Sequence, residues 1–101
     1  MIIIGKIKEI YNENDVPSIK DLICDKPIVD KEKILKYLRS GTRGAVAAGY
    51  AKDVLTGDKI DGELCCYTDG KYAWRSDTVY YFEKYNIKLP EEFIKHALAN
   101  I

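Results

Sequence analysis

Asp69-Gly70 is the dipeptide that most narrows what this chain can become. An Asp-Gly pair between strand-like runs signals a tight antiparallel hairpin, because the turn needs backbone conformations that these two residues accept cheaply. It joins residues 64–68 to residues 71–75. Alternation in the second strand sets Tyr72 and Trp74 on one face, with Lys71, Ala73 and Arg75 on the other. Ser76 or Asp77 then caps a helix over residues 76–86, with Val79 and Phe82 facing inward and Tyr81 and Tyr85 forming an adjacent stripe. Asn86 closes it. Leu89-Pro90 opens a final helix, whose face is Phe93, Ile94, Ala97, Leu98 and Ile101.

The segments before the hairpin must supply partners for it. Residues 5–11 read as a short strand extending back through residues 2–4, although Ile10 interrupts the alternation. Ser18 caps a short helix carrying Ile19, Leu22 and Ile23 at helical spacing. Asp30 caps a longer helix with Ile34, Leu35 and Leu38 as its stripe, and Gly41 is expected as a left-handed residue ending it. Residues 45–55 and 60–68 flank a Thr56-Gly57-Asp58-Lys59 turn and read as two antiparallel strands, with a helix through Ala45–Ala51 as the alternative. The small residues Ala45, Ala47, Ala48, Gly49 and Ala51 suggest that another backbone or helix packs very close there. The expected fold is one α+β domain over residues 1–101. A small antiparallel sheet of three to four strands carries helices on one face, in βααβββαα order or close to it.

Charge limits the function classes. The 16 basic residues equal the 16 acidic ones, so no strong field favours nucleic acid or an anionic membrane. The opening Met-Ile-Ile-Ile is too short for a signal segment or a membrane span. Cys24, Cys65 and Cys66 form an odd set, and neighbouring strand cysteines alternate faces, so free thiols in a reducing cytoplasm are expected.

No coherent catalytic set emerges, and the reading leans away from an enzyme. His96 is the one imidazole available to activate a cysteine, and its helical position places it on the solvent side. A Cys₃His zinc site lacks the usual ligand spacing, so no metal or other cofactor is expected. Asp53, Asp58, Asp61, Glu63 and Asp69 cluster around two turns, where carboxylates serve the local backbone. The aromatic group remains. Trp74, Tyr81 and Phe82 are assigned to the core, leaving Tyr72, Arg75, Tyr80 and Lys84 as candidate binding residues where they reach solvent.

The wording of the second half resembles a family of small bacterial proteins with a shared signature. It comprises Thr68-Asp69-Gly70, an aromatic strand with Tyr72 and Trp74, a Ser76-Asp77 helix start, residues 80–86 (YYFEKYN) and residues 89–96 (LPEEFIKH). Residues 49–57 (GYAKDVLTG) look like the same family's first hairpin. The resemblance transfers no catalytic residue and implies an immunity-type role beside toxin or defence loci. The expectation is therefore a cytoplasmic module that binds another protein, of open oligomeric state. A small-molecule binder or enzyme with a cleft beside the aromatic strand is the alternative.

Overall fold

A computed structural model describes the whole chain, Met1–Ile101. Its elements run β1 (Ile2–Ile3), α1 (Lys8–Tyr11), α2 (Ile19–Leu22), α3 (Lys31–Arg39), β2 (Thr42–Val46), β3 (Cys65–Thr68), β4 (Tyr72–Arg75), α4 (Ser76–Tyr85) and α5 (Glu91–Ala99). The strands form one sheet in the order β1-β4-β3-β2. Helices pack on this sheet, as the α+β reading requires. One difference lies at its margin, where β1 runs parallel to β4.

The Asp-Gly hairpin sets the register. Tyr67 pairs with Trp74 and Thr68 with Ala73, across a turn in which Gly70 has φ +99°. Tyr72 and Trp74 point into the core at 3 % and 1 % exposure, and the alternation predicted for this strand holds. Trp74 is more than bulk. Its indole Nε1 donates to the Leu38 carbonyl at 3.0 Å, occupying an acceptor that the end of α3 would otherwise leave open. Tyr81, Phe82, Phe93, Ile34, Leu35 and Leu38 complete the inner layer.

Several local expectations give way to tertiary demands. Residues 8–11 are helical rather than strand. Ile7 is fully buried, and Glu9 folds back so that its carboxylate accepts the Ser18 hydroxyl and the Ile19 amide at the start of α2. Ser18 does cap that helix, accepting from the Lys20 amide. Asp30 makes no capping bond. It sits at φ +58°, outside the extended conformation a side-chain cap needs, and pairs with Lys33 instead.

Gly41 is not left-handed. It is required by space, since a Cβ there would stand 2.9 Å from Trp74 Cζ2 and 3.0 Å from Tyr67 Cβ. Ser76 and Asp77 do not cap α4. The Ser76 hydroxyl bridges the Cys65 amide and the Glu63 carbonyl, while Asp77 turns inward to Arg75. Asn86 closes α4 as expected, in the left-handed conformation. Ile101, assigned to the face of the last helix, lies beyond α5 and is exposed.

Residues 45–51 are strand and loop, with the first hairpin closed farther out by a bridge between Lys52 and Lys59. The small-residue run is largely open, however: residues 42–50 are all exposed, the Ala47 amide donates to the Leu64 carbonyl, and Ala51 alone packs against the core.

Candidate functional site

Tyrosine hydroxyls and two turn aspartates organise the surface around α4. Asp53 begins the outer turn of the first hairpin, and its Oδ1 accepts the Leu55 and Thr56 amides at 2.8 and 3.1 Å. Its Oδ2 accepts the hydroxyls of Tyr80 and Tyr85, both at 2.6 Å, with Lys84 Nζ at 3.7 Å. Tyr81 donates to the Lys52 carbonyl and accepts from the Val54 amide. Three tyrosines of one helix thus hold one turn. Burial alone would raise the Asp53 carboxyl; the bonds from Tyr80, Tyr85 and the two amides outweigh it and hold the group down to about 2. Burial pushes Tyr81 up to about 12.

Asp69 repeats the arrangement at the second hairpin. Oδ1 accepts the Lys71 and Tyr72 amides, and Oδ2 takes the Tyr37 hydroxyl at 2.5 Å and His96 Nε2 at 2.9 Å. Burial again opposes ionisation, and the four bonds again prevail, holding the carboxyl to about 2. Burial and then the Asp69 partner push the Tyr37 hydroxyl up to about 12.

His96 is therefore not a solvent-side residue. It follows Phe93 by three positions on α5, and its ring packs on Tyr72 at 5.0 Å. Its partner comes from a turn 27 residues away in the chain, which helical spacing cannot reveal.

The four candidate binding residues are not brought together. Tyr72 is buried against Phe93 and His96, so it presents no surface. Arg75 lies across β4 from Trp74, beside its cross-strand neighbour Cys66, and grips Asp77 through two bonds of 3.0 and 2.8 Å. Burial pushes the Asp77 carboxyl up despite that partner. Tyr80 and Lys84 do adjoin on α4, with Lys84 Nζ 3.1 Å from the Tyr80 hydroxyl.

Tyr80 also borders the most substantial concavity, a groove of about 410 Å³ between α4 and the segment entering β3. Ala51, Ile60, Leu64 and Val79 give it apolar walls, and Asp61, Glu63, Asp77 and Glu83 give it carboxylates, against one lysine, Lys59. Three of those carboxylates face arginines: Glu63 with Arg43, Asp77 with Arg75 and Glu83 with Arg39. Asp61 is exposed and stands in none of the chain's ion pairs. Apolar walls with a carboxylate margin suit a long cationic side chain, whose methylenes can lie on the walls while its head meets the acids. Sequence reasoning had Tyr80 and, as an alternative, a cleft beside the aromatic strand, but not the groove's other wall, residues 59–64, which lies far from α4 in the chain.

The thiols form no site of their own. Cys65 is buried, Cys66 exposed and Cys24 half-buried, all free. No group of three or more His, Cys, Asp or Glu side chains is placed to hold a metal ion. No helix is long and apolar enough to cross a membrane. Comparison of the chain with protein-family models, curated proteins and solved structures finds no match.

Proposed function

We propose that this chain is a non-enzymatic, cytoplasmic protein-binding module whose α4 groove receives a basic anchor side chain of another protein. The observation that carries the reading is the groove itself: about 410 Å³, walled by Ile60, Leu64, Val79 and Tyr80, with Asp61 unpaired at its margin. Arginine is among the residues that anchor protein interfaces, and a Tyr wall supplies the stacking surface it favours. The reducing compartment accords with three free cysteines. An immunity-type role, in which the partner is a bacterial toxin masked by binding, is the specific form that the signature of the second half favours.

Co-purification from the native host followed by mass spectrometry tests the reading. One dominant partner is expected with the wild-type chain, and Asp61→Lys is expected to lose it while leaving the unfolding curve unchanged, because Asp61 is exposed. A chain that elutes alone, or a partner indifferent to Asp61→Lys, overturns the proposal. Neutralisation of the partner's toxicity on co-expression then separates an immunity role from other binding.

A further inference from the structure

The connection from α2 to α3 crosses the connection from α4 to α5. Ile23 bridges Ile87 there, and the Lys88 amide donates to the Leu22 carbonyl at 2.9 Å. Past this bridge, residues 24–29 make no backbone–backbone hydrogen bond, so the packing of Ile28 against the core anchors them as a strap. A groove of about 270 Å³ lies between strap and helices, with Ile28, Ile34, Phe82, Ile87 and Leu89 as apolar walls. Its polar side chains all present donors. Lys88 lines it, is exposed, and stands in none of the chain's ion pairs. Asn86 lines it with Oδ1 buried and unpartnered, which leaves the Nδ2 amino group as the open end of the amide. The Cys24 thiol is a weak donor in the same wall. No carboxylate lines this groove, whereas four line the groove beside α4.

We infer that this groove binds a small amphipathic monocarboxylate, its alkyl or aryl body on the apolar walls and its carboxylate at Lys88 and Asn86. Charge selects the head. A cationic head would meet the Lys88 ammonium with no acid in the lining to offset it, and a neutral head would leave that ammonium unanswered. A phosphate monoester carries about −1.5 to −2 charges, more than one ammonium balances. On the strap itself Asp25 and Lys26 offset one another. Volume selects the body. At about 270 Å³ the groove falls just below the range of about 300–1,000 Å³ common for small-molecule sites, which fits one short chain or ring. A strap without backbone hydrogen bonds can adjust to that body at little cost. Because Lys88 is exposed, its ion pair contributes little and the walls carry most of the affinity. This site shares no lining residue with the α4 groove and stands or falls independently of it.

Nuclear magnetic resonance titration of the full chain with hexanoate, octanoate, octanol and octylammonium reads the groove directly. Amides of the strap and of residues 86–89 are expected to shift together. Octanoate is expected to bind more than about tenfold tighter than hexanoate, at about fourfold per buried methylene. It is also expected to bind tighter than octanol or octylammonium. Lys88→Glu, a change at an exposed position, is expected to reverse the order of octanoate and octylammonium. Cys24 gives a reading without any variant: saturating octanoate is expected to slow its alkylation by N-ethylmaleimide severalfold, while the exposed Cys66 reacts unchanged. Octanol binding as tightly as octanoate overturns the inference, as does a ligand order indifferent to Lys88→Glu. So do shifts confined to other residues, an unchanged Cys24 rate, or no binding by octanoate at millimolar concentration.

Discussion

Asp53 and Asp69 perform the same local act and reach different tertiary ends. Each begins a turn, and each gives Oδ1 to the amides two and three residues ahead. The second oxygen makes the difference. At Asp53 it gathers Tyr80 and Tyr85 from one helix, α4, at a carboxylate only 1 % exposed. At Asp69 it joins Tyr37 of α3 to His96 of α5, with the histidine itself partly open to solvent. The first turn is fastened to one helix, and the second fastens two helices to the central hairpin. A turn carboxylate thus acts locally through one oxygen and globally through the other. That second use ties the tyrosine hydroxyls into the fold, while the Tyr80 ring still borders the α4 groove.

Removing each carboxylate is the most forceful way to break this comparison. Asp53→Ala empties a buried position and takes the shared acceptor from two half-buried tyrosine hydroxyls and two turn amides, and is expected to cost about 3–4 kcal/mol in urea unfolding. Asp69→Ala is expected to cost less, about 2–3 kcal/mol, because His96 can turn to water. An equal or reversed order would show that burial of the second oxygen is not what separates the two turns.

Acid supplies a smaller and reversible test. Both carboxyls are depressed to about 2, so each contributes stability that is complete above the ordinary carboxyl range and is lost as pH falls through about 2. Each contribution is on the order of 2 kcal/mol. Stability measured between about pH 5 and pH 2 is expected to fall steeply in the wild-type chain and more shallowly in Asp53→Asn. A slope unchanged by that substitution would remove the Asp53 cluster from the account of acid unfolding.

Single hydroxyl deletions give the finest resolution. Tyr37→Phe is expected to cost about 1.5 kcal/mol by thermal or urea unfolding, since it leaves His96 alone on Asp69 Oδ2. Tyr85→Phe is expected to cost about 0.5–1 kcal/mol, since Tyr80 still donates to Asp53 Oδ2 and the Lys84 ammonium stands beside the same oxygen. Equal losses would mean that the remaining donor does not compensate.

Much of the framework was legible in the sequence because its signals are local. The Asp-Gly turn, the Tyr72–Trp74 alternation, the Ser18 cap and the Asn86 stop each depend on a few adjacent residues, and each stands where it was expected. The misreadings share a different cause. Asp77 looked like a cap, but a buried carboxylate beside Arg75 gains more from one bidentate pair of bonds than from a helix end. Gly41 looked like a left-handed stop, but the indole of Trp74 determines it. Tyr72 looked like a candidate contact, but Phe93 and His96 cover it. The α4 groove was legible only as Tyr80 and the alternative of a cleft beside the aromatic strand; its wall at residues 59–64 had no sequence signal.

By itself, then, the sequence determined the α+β class, the central hairpin and the helices that follow it. Periodicity and turn chemistry act over a few residues, and the chain states them directly. Only the tertiary structure decided which polar groups are spent holding the fold together and which remain free. A hydroxyl or carboxylate finds its partner across tens of residues, and desolvation makes that partner obligatory once the group is buried. Asp53 and Asp69 are turn residues in the sequence and clamps in the fold, while Asp61, of the same type and nearby, stays exposed and outside every ion pair.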